Sequence, residues 1–280
     1  MRHQLHDRAL ADDPWCAPSE TLSRTISNCR YLPKNAIVTQ RILIINPNTS
    51  THVSALLQTH AQAVAGADVQ VDVATARFGA PYISCEASYA VAGHATLDAW
   101  AVALKRDAGE RSAAFDAVLI GCFGDPALFA LRDASAAPVT GLAEAAFTEA
   151  ARHGRFAIVT GGQRWKPILE RLVDALGFGA ALGGIVTVAP TGAQLAQDPL
   201  AARALLADAC VQAVKDFDVQ AVILGGAGLV GLATQVQPLV RVPVIDSVLA
   251  GVRQTLLLAA QPPMQSLGRL DEISAWLGQR

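Results

Sequence analysis

The chain reads as an α/β protein of two pseudo-symmetric lobes, each a mostly parallel sheet flanked by helices, with a cleft between them. Three observations lead there. From residue 41 onward, short apolar runs alternate with helix-length segments, and parallel strands need crossovers of that kind. The segment 116–125, DAVLIGCFGD, has a counterpart in 220–229, QAVILGGAGL, which sets Cys122 against Gly226, 104 residues on. Pro138-Val139-Thr140 then matches Pro243-Val244-Ile245 at a spacing of 105, so a second strand aligns after one residue of slippage.

Residues 1–40 carry Pro14, Pro18 and Pro33, several charges and no sustained period. They read as an irregular N-terminal extension, or as the product of a start codon upstream of the working one, and nothing in them forms the apolar core of a signal peptide. Lobe 1 is expected over 41–145, lobe 2 over 146–245, with 246–280 packing back on lobe 1. Ile42-Leu43-Ile44-Ile45 is an apolar strand closed by the turn formers Asn46-Pro47-Asn48-Thr49-Ser50, which open a helix over 53–65. A strand over 69–73, a helix over 94–105 and a strand over 117–120 follow. Pro126 suits the first turn of a short helix over 126–135, and Val139 lies in a short strand before a helix over 144–153. Lobe 2 repeats the scheme: strand 156–160, a Gly161-Gly162 turn, helix 165–176, strand 185–188, helix 199–216, strand 221–224, a Gly-rich turn and the strand of Val244-Ile245. A helix over 248–260, Pro262-Pro263 and an amphipathic tail over 267–277 complete the chain. Parallel sheets bind ligands at the carboxyl ends of their strands. That rule gathers residues 46–50, 121–125, 160–162 and 225–228 around one cleft.

Composition narrows the function classes. Hydrophobic residues make up 52% and charged residues 16%, yet the most apolar stretch, 221–234, holds four glycines and ends at Gln235, so no membrane span is expected. A net charge of −2, a pI of about 6.3 and the lack of a Lys/Arg cluster disfavour nucleic acid. Cys16, Cys29, Cys85, Cys122 and Cys210 are odd in number and show neither CxxC nor Cys/His spacing. Reduced thiols in a cytoplasmic protein, with no disulfide framework and no metal site, are therefore expected. Residues 225–228 are Gly-rich after a strand but lack the GxGxxG spacing and the acidic ribose partner, and GxxxxGK[ST] is absent, so no nucleotide cofactor is expected. The apolar surplus and the amphipathic tail point to a homo-oligomer.

The chemistry concentrates at the strand ends. Cys122 stands between a buried strand and a helix start, where a helix N-terminus would favour thiolate. Such a thiolate can take a proton from carbon beside a carbonyl while the N–H groups of Phe123 and Gly124 receive the oxyanion. A Cys at a strand end can equally be a small buried hydrophobe. Cys85 and Cys210 read as packing residues, and His94, after Gly93, as a helix-start residue. Glu144 falls in a helix first turn, where the dipole favours an acid in any case. The Asn46–Ser50 turn is either a cradle for a carboxylate or imide carbonyl or a plain N-cap, and Thr160-Gly161-Gly162 is its counterpart in the second lobe.

Taken together, Ile44-Ile45-Asn46-Pro47-Asn48-Thr49-Ser50, Gly121-Cys122-Phe123-Gly124-Asp125-Pro126, Val139-Thr140-Gly141-Leu142-Ala143-Glu144-Ala145 and Pro243-Val244-Ile245-Asp246 resemble the hydantoin racemase branch of the aspartate/glutamate racemase superfamily. The resemblance runs from Arg41 to about Ala260. It implies a cofactor-independent isomerase in which two cysteines, one on each face of a small substrate, exchange a proton at a carbon acidified by carbonyls. Cys122 matches the first catalytic cysteine. Asn48 and Thr49 match the substrate-contacting loop, and Thr160 and Gly161 its equivalent in the other lobe. The family's second cysteine falls at Gly226, which has no side chain and leaves room on the far face. The expectation is a racemase or epimerase of a hydantoin or amino-acid-like compound. The alternatives are a single-cysteine decarboxylase or lyase of the arylmalonate type, and a non-catalytic protein that binds a small carboxylate or a partner.

Overall fold

The computed structural model describes residues 40–107, 115–189, 194 and 198–261; the N-terminal extension apart from Gln40, Cys16, Cys29 and the C-terminal tail lie outside these. The first half runs β1 (Gln40–Asn46), α1 (Thr51–Ala65), β2 (Val69–Thr75), α2 (Glu86–Asp107), β3 (Ala117–Ile120), α3 (Leu128–Ala134), β4 (Val139–Gly141) and α4 (Leu142–Ala151). The second runs β5 (Phe156–Gly161), α5 (Trp165–Ala175), β6 (Leu182–Val188), α6 (Pro199–Phe217), β7 (Ala221–Gly225), α7 (Leu232–Val236), β8 (Val244–Asp246) and α8 (Ser247–Ala259). Each half builds one parallel sheet, in the order β2-β1-β3-β4 and β6-β5-β7-β8. The order is the same in both, as expected of a repeated unit.

Side chains alternate along these strands, and both sheet faces are covered, which is why the strands read as unbroken apolar runs. Ile42 and Ile44 of β1 and Phe156 and Ile158 of β5 point into one central core, with Leu119, Ile223 and residues of α1, α4, α5 and α8. Leu43 and Ile45 point the other way, onto Trp100, Leu128 and Leu131, while Ala157 and Val159 meet Leu206 and Cys210 of α6. The central core joins the two halves through aromatic rings. Phe147 stacks on Phe156 at 5.7 Å and meets Phe123 and Phe178 edge-on at 6.1 and 5.8 Å.

Three local departures from the sequence reading matter for the site. Helix α2 begins at Glu86, not at residue 94, and Gly93 lies inside it with its bare face toward Ala127. His94 is therefore a mid-helix residue, edge-on to Phe78 at 5.0 Å, and not a helix-start residue. Helix α3 begins at Leu128 because Asp125 and Ala127 adopt φ values of +49° and +66°, outside helical space. The short helix α7 follows Gly231, whose φ of +82° sets its start.

The two halves start equivalent helices by different means. At α8 the residue at the cap, Asp246, accepts from Val248 and Leu249 N–H at 2.9 and 3.2 Å, and from Gly231 N–H at 2.7 Å. At α4 the cap position is Gly141, and the carboxylate comes from Asp125, which accepts from Ala143 and Glu144 N–H at 2.9 and 2.8 Å. A Cβ on Gly141 would overlap that carboxylate. The first lobe thus draws its acid from the strand-end loop, the second from the cap position itself.

Candidate active site

The carboxyl ends of the strands from both halves surround a cleft of about 350 Å³. Asn48, Ser50, His52, Val53 and Leu56 line it from the start of α1, and Tyr82 and Ile83 from the segment before α2. Gly121, Cys122 and Phe123 follow β3. Thr160, Gly161, Trp165 and residues 225–229 complete the wall from the second half. Contacts from the segment around the α2 start brace both halves. Tyr82 donates to Gly161 O at 3.3 Å, Tyr89 donates to Gly124 O at 2.7 Å, and Arg171 forms a bidentate pair with Glu86 at 2.8 and 3.0 Å.

Cys122 sits in the cleft wall with only 7% of its surface exposed. Burial pushes its thiol well above the usual range, and the Asp125 carboxylate pushes it further. This overturns the expectation of thiolate at a helix N-terminus. The nearest helix starts six residues on, and a buried sulfur surrounded by apolar atoms holds its proton. Asp125 itself is buried, and its carboxyl is pushed up to about 7 by desolvation, against the N–H groups of Ala143 and Glu144, which favour the anion.

The polar groups facing the cleft are fixed from behind. Asn46 Nδ2 donates to Ser54 Oγ, Ser50 O and Asn48 Oδ1 at 2.9, 3.0 and 3.2 Å. Asn48 Oδ1 also accepts from Ser50 N–H at 2.9 Å. Its oxygen is thus committed, and Nδ2 is left as a donor toward the cleft. Thr160 Oγ1 donates its proton to Gly225 O at 2.7 Å, so toward the cleft it can only accept. One donor and one acceptor thus belong to the same cleft wall as the thiol.

Of the sequence-derived site residues, Asn48, Cys122, Phe123, Thr160, Gly161 and Gly226 are brought together in the cleft wall. Thr49 and Gly124 are not among the lining residues. Thr49 donates its N–H to Ala80 O at 3.2 Å, and Gly124 lies under the Trp165 ring with its N–H directed at Asp125. Gly124 is thus set back from the cleft, whereas Phe123 lines it and its N–H has no acceptor among the described residues. Gly226 has φ +144°, and a Cβ there would meet only Leu229, at 3.4 and 3.6 Å. Cys85 is not a packing residue either. It is half-buried at the start of α2, and its thiol is lowered to about 7, chiefly by hydrogen bonding to Ser88. His52, Tyr82, Trp165 and Asp125 were missed. His52 carried a readable signal, since it opens the i, i+4 face continued by Leu56.

Among the described residues no helix is long and apolar enough to cross a membrane, and no cluster of three metal-ligating side chains occurs. A family model described as Asp/Glu/hydantoin racemase matches residues 42–255. A hydantoin racemase from Pseudomonas sp. (strain NS671) is 32% identical over 76% of this chain and 83% of its own length. An allantoin racemase structure from Klebsiella pneumoniae is 31% identical and superimposes with a TM-score of 0.72 over 79% of this chain and 88% of its own. An arylmalonate decarboxylase, 19% identical with a TM-score of 0.52 over 83% of this chain and 99% of its own, shares the fold.

Proposed function

The chain belongs to the Asp/Glu/hydantoin racemase family, and from that premise we propose that it is a cofactor-independent racemase of small ring amides of the hydantoin or allantoin kind. The observation that carries the reading is that Asn48 Nδ2 as donor and Thr160 Oγ1 as acceptor line the same cleft as the Cys122 thiol. An amide edge presents a carbonyl and an N–H side by side and satisfies both, while the largely apolar wall of Val53, Leu56 and Trp165 takes the substituent.

Cys122 exchanges a proton with the carbon next to a carbonyl, and the Phe123 N–H receives charge that develops on the carbonyl oxygen. The free protein holds the sulfur protonated, so Cys122 enters the reaction as the acid. Gly226 stands where the family's second catalytic cysteine is expected and leaves space on the opposite face. That same bare face favours a second reading, protonation from one side only, as in a decarboxylase or lyase of the arylmalonate type. The proposal includes a cytoplasmic homo-oligomer acting on a small molecule, built from lobes 41–145 and 146–245 with 246–280 packing back on the first.

Incubation of single enantiomers of 5-substituted hydantoins and of allantoin in D2O, read by NMR and chiral chromatography, tests the assignment. Exchange with loss of chirality is expected, and Cys122→Ser should slow it roughly 10³-fold. Full activity in that variant would sink the thiol mechanism. Exchange with retained chirality would favour the one-face reading and make arylmalonates the next substrates.

A further inference from the structure

The cleft holds a second acid–base side chain on the side of Gly226. His52 lies in the first turn of α1 and lines the cleft with Val53 and Leu56, while its side chain stays open to solvent. His52, Leu56 and His60 are spaced i, i+4 and i+8 and form one stripe on the helix. The far end of that stripe is located by Gly231, where a Cβ would stand 3.4 Å from His60 Cε1. The near end runs along the turn Ala227–Leu229, which follows Gly226 directly and packs on α1. The other half mirrors this. Helix α5 starts at Trp165, 114 residues after Thr51, and its ring covers Gly124 in the Cys122 loop. Helix α1 thus packs on the turn after Gly226 as α5 packs on the Cys122 loop, and this pairing assigns His52 to the Gly226 side of the cleft. Tyr82 also lines the cleft, but its hydroxyl is engaged by Gly161 O.

Resting on the racemase reading, we propose that His52 moves the proton on the substrate face turned to Gly226 while Cys122 serves the other face. A ring nitrogen of neutral His52 takes the proton from the substrate carbon, and the C–H electron pair passes into the enolate. The Cys122 S–H then gives its proton to the opposite face of that carbon, which leaves thiolate and imidazolium. The mirror-image substrate runs the steps backwards, with thiolate as base and imidazolium as acid, and restores the starting pair. Release of the His52 proton to water, with return of one proton to the Cys122 thiolate, also resets the site. Nothing else is consumed.

The experiment compares wild type, His52→Gln and Cys122→Ser on single enantiomers in D2O, following deuterium uptake and chirality separately. In His52→Gln, racemisation is expected to fall at least roughly 100-fold. In Cys122→Ser, where His52 remains as the base, deuterium exchange with retention should survive for the enantiomer whose hydrogen faces His52. His52→Gln racemising at the wild-type rate would overturn the proposal. So would loss of exchange in step with racemisation in Cys122→Ser, which would show that His52 moves no proton of its own. A wild type that exchanges only with retention, or not at all, would remove the racemase reading and this inference with it, an outcome distinct from failure of His52 alone.

Discussion

Replacing Asp125 by glycine removes the carboxylate that starts α4 and tests how much stability a cap supplied from the strand-end loop contributes. Two buried N–H groups, those of Ala143 and Glu144, lose partners at 2.9 and 2.8 Å. Losing a helix cap costs about 1 kcal/mol, and each donor left without an acceptor in the interior costs about 1–3 kcal/mol more. Water reaching the vacated space recovers part of this, so a net loss of about 2–4 kcal/mol at pH 7.5 is expected. For a chain of this size that corresponds to a fall in Tm of about 5–15 °C. Glycine is the right replacement because φ at 125 is +49°, where alanine would add strain of its own. The loss should depend on pH. The folded carboxyl titrates at about 7 against an ordinary value of 3.8. Between those values the folded state keeps a proton that the unfolded chain has released, and the group's contribution to stability falls as pH rises. The gap between wild type and Asp125→Gly should therefore widen by roughly 2 kcal/mol on going from pH 7.5 to pH 5. Urea unfolding followed by tryptophan fluorescence measures both. The decisive variant is the exchange, Asp125→Gly with Gly141→Asp, which places the acid where Asp246 stands in the second lobe. Residue 141 is extended at φ −128° and ψ 169°, so aspartate fits, and at least half of the lost stability should return. A single variant within about 0.5 kcal/mol of wild type, or an exchange no more stable than the single variant, would refute the reasoning.

Two further outcomes follow from the cysteines and Gly226. Among Cys85, Cys122 and Cys210, iodoacetamide should label Cys85 first, with half its limiting rate near pH 7, because the other two thiols are raised by burial. Ser88→Ala should move that midpoint upward, and a peptide map showing Cys122 labelled first would contradict the assignment. Gly226→Cys should destabilise the fold by about 1–3 kcal/mol, since φ there is +144° although space for the Cβ exists. Unchanged stability in urea would mean that the loop relaxes freely.

The strands were legible because burial on both faces leaves runs such as Ala117-Val118-Leu119-Ile120 with no polar interruption. The repeat showed through its spacings, and with it the cleft and Cys122. What escaped depended on contacts far apart in sequence. Gly93 looks like a helix boundary until Ala127 is brought against it. The charge state of Cys122 could not be read from its neighbours, because it depends on how completely the central core closes over the sulfur. Cys85 gains its character from Ser88, three residues on, once both belong to a helix start. Asp125 looked like a loop acid within a motif, and only the approach of α4 reveals it as a cap.

Because the spacing that aligns the halves sets Asp125 against Leu229 and Gly141 against Asp246, the lobes cannot trade parts freely. Grafting the loop 121–126 into the second lobe would carry a second carboxylate to a helix start that already holds Asp246, and two like charges would meet in a dry interior. The reverse graft would leave α4 without its capping carboxylate. Loop and helix start must travel as one cassette. Chimeras of the two halves are therefore expected to fold only when their crossover points lie outside both segments.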